Sequence, residues 1–295
     1  MRGARPERDV ERSIELSGVL RHGERVLVAC SGGPDSVALA AAMHALAGKL
    51  AFEILAAFVN HGLRASAWQD ECVVLQIAAQ FETPLDVIVL EAGASDEQRL
   101  RTARYDALID VAKRRGCNVV ATAHHAEDQS ETVLLALLRG TGPAGLRGIR
   151  ARRRLAPGVD IARPLLGVPS EALRDYCHIR ALPYAVDPTN SQTTLRRNAV
   201  REALDALRPL FPGLDAAVAR AAGVVCDELD STERSALRRR VRRQLELEED
   251  LRDIDFAHVE AAVRALEDGR SGAFLMKPGV TLRIERGAIA GISRE

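Results

Sequence analysis

Cysteine is sparse in this 295-residue sequence and poorly arranged for chemistry. Its five cysteines (Cys30, Cys72, Cys117, Cys177 and Cys226) are odd in number and never spaced as C-x-x-C. That argues against a disulfide framework, a four-cysteine zinc site and a cysteine-held iron–sulfur cluster. Long hydrophobic runs are missing too, since no stretch approaches the roughly 20 apolar residues that cross a bilayer. The N-terminal MRGARPERDVERSIE interleaves Arg with Glu and Asp and is followed by no apolar core. Neither a secretory signal nor a transit peptide is expected, and a soluble cytoplasmic protein is. Net charge is absent as well, with 41 Lys and Arg against 41 Asp and Glu. Any case for nucleic-acid binding must therefore rest on how charge is distributed. There are no internal repeats and no low-complexity segment.

What is present is an ordinary apolar fraction, 47%, enough for a sizeable core without cross-links. The length suits one large domain and a smaller one. From residue 25 to about 165 strand-like and helix-like segments alternate. RVLVAC (25–30), EILAAFVN (53–60), LDVIVL (85–90) and NVVATA (118–123) predict buried strands. Between them, 37–48 (ending at Gly48), 66–81, a helix through 115 with Ser95 and Gln98 as a capping box, and 127–140 predict helices. Such spacing implies a doubly wound parallel sheet, Rossmann-like, covered on both faces. Residues 141–165, rich in Gly, Pro and Arg, predict a long loop leading into a strand near 159–163, with a helix from Pro169 and Ser170 to about Ala181. PYAVDPTNSQ (183–192) predicts irregular chain. Beyond about 195 the chain reads as helical and charged, closing on a strand-like tail. The expected division is 1–215 and 216–295, the second domain being small, mainly helical and ending in short strands.

In an open parallel sheet, ligands bind beyond the carboxyl ends of the strands. Three polar clusters fall at such ends: SGGPDS (31–36), NHGLR (60–64) and HHAEDQSET (124–132). In the first, Gly32 and Gly33 let backbone N–H groups cup an anion at a helix N-terminus, and Pro34 suits the first helical position. Ser36 offers a donor to phosphate. The loop has no Lys and is not G-x-G-x-x-G, so neither γ-phosphate transfer nor dinucleotide binding is indicated. Asp35 beside a polyphosphate makes sense with Mg²⁺ between them; otherwise it is a helix-start carboxylate. His124 and Asp128 are four apart, as are Glu127 and Glu131, so a helix starting here would stack each pair on one side. Arg residues crowd 147–154 and 234–243. Either run is a solvated face or a grip on phosphates.

SGGPDS resembles the SGGxDS loop of the PP-loop ATP pyrophosphatases. VNHGLR, RTARYDAL (101–108), ATAHHAEDQSETVLLALLRGTGPAGLRGI (121–149), RPLL (163–166) and YAVDPTNSQTTLRRNAVR (184–201) follow in the order seen in tRNA(Ile)-lysidine synthetases, in a short form with one small C-terminal domain. One departure is visible: Glu127 stands where that family more often has Asp.

The resemblance implies adenylation of the wobble cytidine of a CAU-anticodon tRNA(Ile), then displacement of AMP by free L-lysine. The product, lysidine, changes decoding from AUG to AUA. It implies ATP as co-substrate and Mg²⁺ on Asp35. Ser31, Gly32, Gly33, Pro34, Asp35 and Ser36 would hold the nucleotide with His61 and Arg64. Arg104, with those two cations, would meet developing negative charge, and His124 would share in catalysis. Asp128 would help deprotonate the lysine ammonium, Glu131 would bind or orient it, and Glu127, Arg147, Arg152, Arg153, Asn198 and Arg201 would face substrate or tRNA. The small domain would bind tRNA, and the resemblance leans to a homodimer. The rival readings are a PP-loop tRNA thiolase and a catalytically silent ATP- or RNA-binding protein.

Overall fold

The computed structural model describes residues 6–60, 67–90, 97–185, 195–230, 233–248, 254 and 256–294. Its elements run α1 (Pro6–Ser17), β1 (Arg25–Ala29), α2 (Pro34–Leu50), β2 (Glu53–Asn60), α3 (Ala67–Gln80), β3 (Leu85–Val89), α4 (Glu97–Arg115), β4 (Val119–Ala121) and α5 (Ala126–Leu138). They continue with α6 (Pro143–Leu146), β5 (Arg152–Ala156), β6 (Val159–Ala162), α7 (Ser170–Ile179), α8 (Leu195–Leu207) and α9 (Leu214–Leu229). Last come α10 (Glu233–Glu248), α11 (Phe256–Glu267), β7 (Gly272–Lys277), β8 (Val280–Glu285) and β9 (Ala288–Arg294). Two compact units emerge, 1–141 with 145–220, and 142–144 with 221–295.

In the first unit the sheet order is β3-β2-β1-β4-β6-β5. β1 pairs in parallel with β2 and β4, β2 with β3, and β4 with β6. The period-2 alternation of strand side chains decides which face each residue serves. Leu27, with Leu55 and Val120, packs toward Leu108 and Val111 of α4. Val26 and Val28 face the opposite way, onto Val37, Leu39 and Met43 of α2, Leu173 of α7 and Ile14 of α1. Both faces are therefore dry, as short β-branched runs require.

Local chemistry accounts for the differences from the sequence reading. α2 starts at Pro34, whose missing N–H costs nothing in the first turn, and runs through Gly48 to Leu50; Ala51 instead takes the left-handed turn at φ 51°. Residues 152–156 form an edge strand antiparallel to β6 rather than loop, because Arg152 finds partners for its guanidinium. Arg152 donates to Glu24 at 2.7 Å, to Asp160 at 2.8 and 3.0 Å, and to the Val19 carbonyl at 2.9 Å. α1, absent from the sequence reading, is held by Val10 and Ile14 in the core and by Glu11, which accepts from the Tyr176 hydroxyl and from Arg180. Ser95, and with it the expected capping box, lies outside the described residues.

The second unit packs α10 and α11 on the antiparallel sheet β7-β8-β9, around Val241, Leu245, Val263, Met276 and Leu282. Within it Arg234 pairs with Glu260 and Glu267, Arg238 with Asp227 and Glu260, and Arg239 with Glu228.

Candidate active site

Strand succession runs outward from β1 to β2 and β3 on one side, then resumes at β4 on the other. The crevice beyond β1 and β4 is thus the switch point of the sheet, where ligands bind in such folds. It receives SGGPDS from β1 and HHAED from β4.

The loop after β1 is tight and internally bonded. Gly32 has φ +85°, and a Cβ there would come within 2.8 Å of the Asp70 carbonyl on α3, so only glycine fits. Gly33 is the N-cap of α2. Ser36 is buried; its hydroxyl accepts the Ser31 amide at 3.0 Å, lies 3.1 Å from the Ser31 hydroxyl and donates to the Gly33 carbonyl at 2.9 Å. Ser36 thus braces the loop from within, and the Gly32 carbonyl accepts the Ala185 amide at 2.9 Å.

The loop after β4 supplies a cation among carboxylates. α5 begins at Ala126 with His125 as its N-cap, and the Asp128 carboxylate accepts the His125 amide at 3.1 Å. The helix thus starts too late to stack His124 on Asp128. Instead His125 Nδ1 meets Glu127 at 2.9 Å, while Nε2 lies 3.5 Å from Asp128 and 3.7 Å from Asp35. Burial opposes an imidazolium, but the Glu127 hydrogen bond and the charges of Asp128 and Asp35 overcome it and raise the His125 pKa to about 9. Glu127 moves the other way: burial works against it, yet His125 and the Ser170 amide hold it down at about 2. Asp35 is raised above the ordinary carboxylate value by burial, then by Asp128 and Glu127, with His125 and Arg174 offsetting part.

His124, one residue earlier, faces a different environment. It bonds the Thr122 hydroxyl at 3.0 Å, and burial followed by Arg163, Arg101 and Arg104 lowers its pKa to about 3. Its imidazole is neutral at physiological pH. Glu131 is buried and accepts from Arg197 at 2.9 Å and Arg201 at 2.5 Å, both on α8. Asn198 sits half-buried on the same helix. Arg104 lies on α4 beside Tyr105, Arg153 is exposed on β5, and Arg147 is half-buried between α6 and β5. His61 and Arg64 lie outside the described residues.

Residues 6–207 match the family of ATP-binding PP-loop domains. This chain belongs to the PP-loop family. Its relatives include a tRNA(Ile)-lysidine synthase of Symbiobacterium thermophilum, 39% identical over 68% of this chain and 43% of the relative. Another, from Salinispora tropica, is 42% identical over 68% of this chain and 62% of that protein. The chain thus matches about half the length of the curated relatives. Among solved structures, the U34-tRNA thiolase NcsA from Methanococcus maripaludis, determined with its 4Fe–4S cluster, aligns with TM-score 0.64 at 17% identity. That alignment covers 74% of this chain and 78% of the thiolase, and shows a shared fold.

The PP-loop carboxylate also fits a metal. Asp35 Oδ1 is buried with no hydrogen-bond partner among the described residues, which suits a hard divalent cation. No group of three or more His, Cys, Asp or Glu among the described residues is arranged to hold a metal alone. The donor set therefore fits Mg²⁺ that takes most of its oxygens from phosphate and water. His125, Ser170, Arg163 and Arg197 are contributors that the sequence reading passed over. The signal for His125 was present: it stands two residues before the acid pair Glu127–Asp128 at a helix start, the N-cap position.

Proposed function

We propose that this PP-loop protein ligates L-lysine to C2 of the wobble cytidine of a CAU-anticodon tRNA(Ile), using ATP in the cytoplasm. The observation that carries the reading is the relatives' name at 39–42% identity over 68% of this chain. The cytidine O2 attacks the α-phosphorus of ATP and pyrophosphate leaves. The lysine ε-amine then forms a bond to C2, and O2 departs with AMP.

The backbone of Gly32 and Gly33 and the start of α2 favour the leaving pyrophosphate. Mg²⁺ at Asp35 would neutralise phosphate charge when bound. Arg104, on the basic side of the crevice, meets charge developing on the α-phosphate. Asp128 accepts the ammonium and then its proton, since an amine near pKa ~10.4 is not nucleophilic. Glu131, clamped by α8, sets the depth of that slot. Residues 216–295 serve tRNA binding.

The thiolase reading is disfavoured by the thiols themselves. Cys30 is buried and its pKa raised by that burial; Cys177 is pushed up to about 12 by burial, then by Asp35 and Cys30. Neither is a ready nucleophile. Incubating the protein with a CAU-anticodon tRNA(Ile) transcript, labelled lysine, ATP and Mg²⁺ should label the RNA. A folded protein that leaves it unlabelled sinks the reading, and a Cys30→Ser variant should remain active.

A further inference from the structure

Beside the acidic slot lies a group of side chains of opposite sign. Arg163 directly follows β6, and the pairing of Ala121 with Ala162, extended by the Thr122 amide on the Ala162 carbonyl at 3.0 Å, sets it next to the segment bearing His124. Arg163 is only 3% exposed. Its Nη1 donates to the Arg150 carbonyl at 2.6 Å, whereas its Nε is buried and has no hydrogen-bond partner. The Arg101 and Arg104 guanidinium carbons lie 5.3 and 5.6 Å from the Tyr105 ring centroid, and Arg101 donates to the Tyr105 hydroxyl at 3.4 Å. Arg153 pairs with Ile161 across β5 and β6, and the ladder continues with the Arg163 amide on the Ala151 carbonyl at 2.8 Å, so Arg153 and Arg163 serve the same face of the sheet. Tyr105, Arg153 and Arg101 are the groups whose charges act on Arg163.

Among the described residues, no carboxylate pairs with Arg101, Arg104 or Arg163. A buried guanidinium ringed by like charges is unfavourable unless an anion joins it. The neutral His124 beside it reports the same positive field. Guanidinium forks match phosphate oxygens better than any other side chain does.

We infer that Arg101, Arg153 and Arg163, beside the Arg104 already assigned to the α-phosphate, form a second anion site, distinct from the PP-loop cradle, that takes a phosphate ester. The inference rests on the proposed function and deepens it. The phosphate belongs either to ATP, next to the leaving pyrophosphate, or to the RNA backbone flanking the target nucleotide.

Binding measured without lysine separates these sources. Mg²⁺–ATP is followed by equilibrium dialysis, and an unmodified CAU-anticodon tRNA(Ile) transcript by filter retention across a KCl series. The test variants are Arg101→Gln with Arg153→Gln, both at exposed positions, and Arg163→Gln. Affinity for one probe is expected to fall about tenfold or more; if RNA is the source, the salt slope also drops by about one to two. Loss confined to ATP assigns the nucleotide, and loss confined to RNA assigns the backbone. A folded double variant that binds both probes as wild type does, while wild type still forms lysidine, overturns this inference alone. Wild-type protein that binds neither probe overturns it together with the reading beneath it.

Discussion

Glu127 on α5 is bonded to Ser170 at the start of α7. Its two carboxylate oxygens accept the Ser170 amide at 3.1 and 3.0 Å, and one also accepts the Ser170 hydroxyl at 3.0 Å. The other holds His125 Nδ1 at 2.9 Å. The longer side chain thus spans from the helix start after β4 to an orphan N–H group of another helix. Shortening it should forfeit one set of bonds. Glu127→Asp and Ser170→Ala should each cost about 1–3 kcal/mol in urea unfolding. Combined, they should cost clearly less than their sum, because they share a bond. Strict additivity would mean the two residues act separately.

Gly32 and Gly33 are adjacent yet should respond differently to alanine. At Gly32 a Cβ meets the Asp70 backbone at φ +85°, so Gly32→Ala should destabilise the first unit by about 1–2 kcal/mol or more. At Gly33 the nearest atom to a new Cβ is the Ser31 hydroxyl at 3.9 Å, so Gly33→Ala should fold normally. Any loss of ATP affinity in Gly33→Ala then reports crowding of the anion cradle. Full affinity in that variant would remove the loop backbone from nucleotide binding. Denaturant melts and equilibrium dialysis supply the two readouts.

The parallel core was legible because its strands are short β-branched runs separated by helices; their order on the sheet was not, since it is set by packing between distant segments. β5 was not, since three consecutive arginines carry no strand signal, and Arg152 is neutralised by Glu24, far away in sequence. The acids of the site were legible as a cluster after a strand. Their division of labour was not: it depends on α5 starting at Ala126, which turns His125 toward Asp35 and leaves His124 with the arginines. Glu131 illustrates the same limit, because its partners Arg197 and Arg201 arrive on a helix some 66 and 70 residues later.

In the second unit, Glu260 ties together Arg234 and Arg238, the latter 5% exposed. Burial pushes its pKa up, but the hydrogen bonds from Arg238 and Arg234 prevail and leave it below the ordinary value of 4.5. A carboxylate depressed on folding contributes stability that is present above its unfolded pKa and lost as pH falls through the lower folded value. Opening of β7–β9, followed by amide hydrogen exchange, should therefore become easier below about pH 4.5. Glu260→Gln should remove that acid limb and cost about 1–3 kcal/mol at neutral pH, because the buried Arg238 loses one of its two carboxylates and keeps Asp227. An unchanged acid limb in the variant would assign it to other carboxylates.

Asp35 and Asp128 approach the same imidazole nitrogen of His125, at 3.7 and 3.5 Å, but should fail at different steps. Asp35→Asn removes the charge facing phosphate and should lower ATP–pyrophosphate exchange in the presence of tRNA by about 10²–10³-fold, with lysine incorporation falling in parallel. Asp128→Asn should leave adenylation largely intact and slow lysine incorporation by about 10²–10⁴-fold, so that adenylated RNA accumulates. Asp128 also caps α5, and its loss should cost about 1 kcal/mol of stability, so both variants are compared well below their melting temperatures. Equal loss of both half-reactions in Asp128→Asn would place that carboxylate in the first step. Unchanged lysine incorporation would remove it from the chemistry and leave Glu131 as the carboxylate that meets the incoming amine.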